Sequence, residues 1–255
     1  MSAKQMRVLA AAIVFLGVGV SLCLLKPLPT LARGSQTGQN SNNSPGGTQG
    51  RNEARNPYKP ARVVSSADVQ FPFRTTADGV VIFDVSLDAQ GAVKNVGVLQ
   101  DLPPFTSAAK QSLHDWKFAA SSQNNKPEDS DMLVAFVFRH SVYVANEPPF
   151  SPVFPGKEST ETRSGFVPSG ILSISYAAYP ANTIAMGAIV VQVSVKPDGS
   201  AGDVTVIRDL PGGFAPLAID AAKHWKFQGA LRDSRPVPSK VAIAFVFSSR
   251  ALNPF

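Results

Sequence analysis

The chain has only two tryptophans, and both stand in the same phrase, Trp116-Lys117-Phe118 and Trp225-Lys226-Phe227. Laying one half of the sequence on the other explains the coincidence. Phe71-Pro72 falls on Tyr179-Pro180, Gly79 to Gly91 on Gly187 to Gly199, and Asp101-Leu102-Pro103 on Asp209-Leu210-Pro211, all at an offset of 108. One extra residue in Pro211-Gly212-Gly213 makes the offset 109 from the tryptophans to the closing Ala-Phe-Val-Phe at Ala135 and Ala244. One small unit has been duplicated, so any fold proposed for the chain must work twice.

Each copy carries a readable pattern. Val81, Phe83, Val85 and Leu87 alternate with Ile82, Asp84 and Ser86, and Ile189, Val191, Val193 and Val195 repeat that phase, as a strand with one buried face requires. Gly91 and Gly199 close the following turns, where a hairpin favours a residue free to take positive φ. Val96 and Val98, with Val204 and Val206, mark a second strand. The period then changes: Phe214, Leu217, Ala218, Ala221, Ala222 and Trp225 share one helical face, as do Phe105, Ala108, Ala109, Leu113 and Trp116. The tryptophans read as the large core residues that seat each helix on its sheet. Met132 to Phe138 and Val241 to Phe247 are apolar closing strands. The expectation is an α+β protein of two tandem small domains, each a three-stranded antiparallel sheet with a helix on one face, in the order strand, strand, helix, strand.

Charge divides the chain unevenly. The net charge is +6, yet the residues before Val63 hold eight of the basic side chains against Glu53 alone, a net +7, which leaves −1 for the rest. A folded region close to neutral lacks the massed Lys and Arg that nucleic acid needs, so nucleic acid is excluded as a partner. The single Cys23 excludes a disulfide framework and a thiolate zinc site. Val8 to Leu25 is an 18-residue apolar stretch without charge, long enough for an uncleaved single-pass anchor, with a cleaved secretory signal ending near Thr30-Leu31-Ala32 as the alternative. The expected organisation is an anchor or signal at 1–32, a disordered polar tether at 33–60, a first domain at 61–140, a proline-rich connector at 141–168 and a second domain at 169–255.

Tyr179-Pro180, Gly187 with its alternating strand, the Asp198-Gly199 hairpin, the alanine-rich helix ending in Trp225-Lys226-Phe227 and the final apolar strand together resemble the C-terminal domain of the TonB family. The likeness covers about Ile171 to Arg250, and a more divergent version, with Trp116 and Phe118, covers about Pro60 to Arg139. It implies a periplasmic domain on an inner-membrane anchor. Such a domain grips an extended segment of an outer-membrane transporter and couples it to inner-membrane motor proteins of the ExbB/ExbD type. The implied grip is strand addition to an exposed sheet edge. Carried over by position, that edge is Val241, Ala242, Ile243, Ala244, Phe245, Val246 and Phe247, with Met132 to Phe138 as its counterpart. A second reading keeps these strands as ordinary core whose edges a neighbouring repeat covers. The apolar stretch holds no histidine of the kind found in such transducers' anchors, and the tether is short and rich in Asn, Gly and Ser. These departures keep open a structural or assembly protein whose tandem domains mediate contacts without energy transduction.

No enzyme is expected, and no cofactor or metal. His114, His140 and His224 form no spaced ligand pair. The segment Pro127 to Asp131 lacks the glycine and alternation of a calcium loop and reads as a solvated turn. No nucleophile elbow, phosphate loop or dinucleotide fingerprint occurs.

Overall fold

The computed structural model describes residues 58–72, 78–140, 150–155 and 165–248. The apolar stretch Val8 to Leu25 lies outside them. Among the described residues no helix is long and apolar enough to cross a membrane.

The first copy comprises β1 (Arg62–Ser65), β2 (Gly79–Leu87), β3 (Val93–Gln100), α1 (Phe105–Leu113), β4 (Lys117–Ala119), β5 (Ser121–Gln123), β6 (Lys126–Glu128) and β7 (Ser130–His140). The second comprises β8 (Phe166–Val167), β9 (Gly170–Ser173), β10 (Gly187–Val195), β11 (Ala201–Arg208), α2 (Phe214–Lys223), β12 (Lys226–Gln228), β13 (Ala230–Arg232), β14 (Arg235–Val237) and β15 (Ser239–Ser248). The fold is α+β as expected, but the two three-stranded sheets are not separate. They merge into one six-stranded sheet in the order β11-β10-β15-β7-β2-β3, and both copies fall in one compact unit. All neighbours are antiparallel except the central pair, β7 and β15, which run parallel.

The two helices lie on opposite faces of this sheet. Phe105, Ala109 and Leu113 of α1 share a core with Val81, Phe83, Val85, Phe136 and Phe138, whereas Phe214, Ala218 and Ala222 of α2 share one with Ile189, Val191, Ile243, Phe245 and Phe247. A half-turn about an axis running along the strands, between β7 and β15, makes these strands parallel and sends the helices to opposite sides. It also explains why β2 is buried along its whole length rather than on alternate residues. The face turned away from α1 joins the α2-side core through Val80 and Ile82, together with Ile171, Tyr176 and Ala177 from the segment leading into the second copy. Reciprocally, Ala61, Val63 and Val69 join Ala188, Val190, Ala242, Ala244 and Val246. Each lead-in also pairs with its own copy, β1 with β4 and β9 with β12.

Large and small residues alternate accordingly. In β15, Ile243, Phe245 and Phe247 face their own helix, while Ala242, Ala244 and Val246 face the other core. Small side chains let an extended lead-in lie close to the sheet, where a helix needs larger ones to fill the space beneath it.

The duplication persists down to ring geometry. Phe71 lies edge-on to Phe105 at 5.4 Å and to Phe138 at 5.7 Å; Tyr179 lies edge-on to Phe214 at 5.3 Å and to Phe247 at 5.7 Å. Trp116 and Trp225 are each 2 % exposed, as core residues should be. The helices stop short of them, at Leu113 and Lys223. The Lys-Phe that follows belongs to β4 and β12, which carry the phrase past the hairpin glycines. A Cβ on Gly91 would sit 2.4 Å from Phe118 O, and one on Gly199 2.4 Å from Phe227 O. The glycine and the Trp-Lys-Phe phrase therefore recur together because one packs on the other.

Each copy also holds a short hairpin beyond the expected strand, strand, helix, strand order. Asn124-Asn125 joins β5 to β6 and Asp233-Ser234 joins β13 to β14, all four with positive φ between 48° and 62°, the primed turn of tight hairpins. The segment Pro127 to Asp131 is consequently not a turn: Pro127 and Glu128 end β6, and Ser130 and Asp131 begin β7.

Gly199 has φ +84° and its missing Cβ meets backbone, whereas Gly213, at φ +86°, has nothing within 4 Å. Gly199→Ala is expected to lower stability by about 2–3 kcal/mol and Gly213→Ala by about 1 kcal/mol. Urea midpoints followed by circular dichroism check the order, and equal losses would contradict the close approach.

Candidate functional site

The expected peptide-binding edge, Val241 to Phe247, is not an edge. On one side Gly187 to Val195 pairs antiparallel with Phe247 to Ser239. On the other, Val241 to Ser248 pairs parallel with Leu133 to His140, in unbroken register. Val241, Ala242, Ile243, Ala244, Phe245, Val246 and Phe247 are all at most 2 % exposed. The physical reason is symmetry: the duplication supplies a second closing strand with the same unpaired backbone groups, and the two satisfy each other. Among the described residues, the strands of this sheet with a single neighbour are β3 and β11.

The other residues singled out in the sequence belong to the cores. Trp225 and Phe227 are buried under α2, Trp116 and Phe118 under α1, and Tyr179 packs at the margin while its hydroxyl donates to Ala185 O at 2.8 Å. Desolvation raises the Tyr179 phenol. Gly187, at φ +135°, starts β10. His224 caps α2 and is exposed, with Nδ1 2.8 Å from Asp220 O. Among the described residues no three of His, Cys, Asp and Glu gather as metal ligands.

What the structure adds is a polar joint between the copies. The Val63 N–H donates to Gln192 Oε1 at 2.7 Å, within the buried layer. Asp68 Oδ1 accepts from the Ala188 N–H at 3.2 Å, and its other oxygen lies 3.6 Å from Arg208. The Arg139 guanidinium stands 5.0 Å from the centre of the Tyr176 ring. The more enclosed of these two ion pairs is a clasp in which Arg232 grips both carboxylate oxygens of Glu128, with Nη2 to Oε2 at 2.8 Å and side chains 19 % and 25 % exposed. The guanidinium also lies 5.5 Å from the Tyr58 ring centre.

Charges in the clasp respond as its geometry demands. The hydrogen bond from Arg232 holds the Glu128 carboxyl below its ordinary range, and that same bond raises Arg232. Burial pushes the Tyr58 phenol up to about 12. The repeat hides the clasp from sequence reading, because the residue equivalent to Arg232 in the first copy is Gln123.

Residues 74–140 and 175–248 match the family model of the Gram-negative bacterial TonB protein C-terminal. The chain belongs to this family. It holds two TonB C-terminal segments in tandem, and β1, β8 and β9 precede the matched residues. Membership associates the chain with a periplasmic C-terminal domain, with outer-membrane transporters and the Exb system, and with transport energy coupling or protein interaction. Comparisons with curated proteins and with solved structures give no match.

Because the Glu128 pKa is depressed on folding, the stability it contributes is present above its ordinary carboxyl value of 4.5 and is lost as pH falls through the folded value. Glu128→Gln is expected to cost about 1–2 kcal/mol at neutral pH. Acid titration of stability for both proteins should show the difference narrowing below about pH 4.5, and a constant difference would remove the ion pair as its cause.

Proposed function

We propose that this TonB-like protein works as a periplasmic protein-interaction module built from a closed pair of copies, and not as an enzyme. The observation that carries the reading is the parallel ladder of β7 and β15, which fills the edge through which one copy alone would take an extended peptide. Partner contacts then fall on the outward surfaces and on the edges of β3 and β11. Val93 and Val98 of β3 are 40 % and 44 % exposed, so an added strand would find apolar contacts as well as backbone groups there. The apolar stretch Val8 to Leu25 is taken as a single-pass anchor in the inner membrane, with the copies on the periplasmic side.

Family membership favours a second reading, in which the pair opens and Val241 to Phe247 takes a transporter segment, with a motor of the ExbB/ExbD type supplying the work. Opening must break the central ladder and expose two buried apolar strands, a large cost against the usual net stability of a domain. Binding would have to repay it.

Titration of the full chain, detergent-solubilised, with peptides from the N-terminal segments of outer-membrane transporters separates the readings. Backbone amide shifts are expected to leave Leu133 to Phe138 and Val241 to Phe247 in place. Concerted shifts in both strands, with loss of their slow hydrogen exchange, would overturn the closed pair in favour of the transducer.

A further inference from the structure

The joint between the copies also builds an open cavity of about 600 Å³. Its cations are Lys59 before β1, Arg62 on β1 and Lys240 at the start of β15, the last from the other copy. Its polar walls include Gln90, Ser122 and Asn125, and no Asp or Glu lines it. The carboxylates nearest along the lining elements are engaged elsewhere. Asp88 accepts the N–H groups of Gln90 and Ala92 at 2.9 and 2.8 Å, Glu128 holds Arg232, and Asp129 holds Lys94 at 2.9 Å. Lys59 Nζ donates to Asn125 Oδ1 at 3.1 Å. Burial lowers the Lys240 ammonium, and the Arg62 charge lowers it further.

Lys59 and Arg62 are exposed and Lys240 is half-buried, so three like charges gather at an open site with no lining carboxylate, an arrangement that an anion would stabilise. We propose that this cavity binds a phosphate-type oxyanion, seated between Arg62 and Lys240. Three cations and neighbouring amide and hydroxyl donors suit a phosphate group, whose several acceptor oxygens they can share whether it carries one negative charge or two. The guanidinium offers a planar fork to two phosphate oxygens and the lysines act as point charges. Free phosphate and the phosphodiester of a lipid headgroup share this chemistry. The site is complete only while the copies are paired, since Lys240 comes from the second copy and the other cations from the first.

Calorimetric titration of the full chain in non-ionic detergent, in chloride buffer at constant ionic strength, tests the proposal. One arm uses inorganic phosphate and the other glycerophosphoglycerol, a soluble headgroup diester. Lys240→Met and Arg62→Gln are each expected to weaken binding at least about tenfold. Lys223→Met, which removes the same charge from the end of α2, should leave it unchanged. Without ligand, Lys240→Met should unfold at the same temperature as the parent protein or higher, because a repulsion has been removed. A purely structural lysine would give the opposite sign. Binding of phosphate alone assigns a free-phosphate ligand, and tighter binding of the diester assigns a headgroup; either supports the site. Binding that survives both Lys240→Met and Arg62→Gln, or no binding of either probe, overturns it.

Discussion

The pairing of β7 with β15 is the constraint on which the other features depend. A parallel pair between two closing strands exists in this chain only because the unit occurs twice and the copies are related by a half-turn along the strand direction. That operation places α1 and α2 on opposite faces, and it leaves each copy's half of the sheet with one face uncovered by its own helix. Parallel ladders are normally buried on both faces. The lead-in segments with Ala61, Val63 and Val69, and with Ile171, Tyr176 and Ala177, meet that requirement by contributing to the opposite cores. Edge satisfaction, helix placement and the path of the lead-ins thus form one solution.

Cores and joint meet different physical demands. Under each helix the phenylalanine pair keeps its spacing to within a few tenths of an ångström, Phe105 to Phe138 at 4.4 Å against Phe214 to Phe247 at 4.7 Å, while the tryptophan shifts more, Trp116 to Phe136 at 5.5 Å against Trp225 to Phe245 at 6.4 Å. Across the joint the symmetry is broken. Glu128 meets Arg232, but the reciprocal position of that arginine is Gln123, and Arg62 and Lys240 line one cavity that no carboxylate lines. Apolar packing tolerates repetition because it is non-directional, whereas a charge pair needs unlike partners. The two halves are therefore no longer interchangeable, and the features with chemical character lie where they meet.

For a member of the TonB C-terminal family, this arrangement moves the question of partners away from the closing strand. An edge already paired through its length offers no backbone groups to a peptide, whatever its side chains. Among the described residues, β3 and β11 are the strands at which this sheet ends.

Much of this was written in the sequence. Spacing of apolar residues located both helices and the long strands, and the recurrence of Gly199 with Trp225-Lys226-Phe227 marked a contact that proved to be atomic. A careful reading of Asn124-Asn125 and Asp233-Ser234, equivalent turn pairs at the repeat offset, would have found the short hairpins as well. The nearly unbroken apolar run from Val241 to Phe247 already pointed to burial on both faces. Local periodicity, though, reports only how a segment lies relative to some core. It carries no information about which strand lies beside which, because every strand edge offers the same backbone donors and acceptors. The sequence by itself determined the unit and its repetition. Only the tertiary structure decided that the two units share one sheet, since that choice rests on matching edges and shapes between residues more than 100 positions apart.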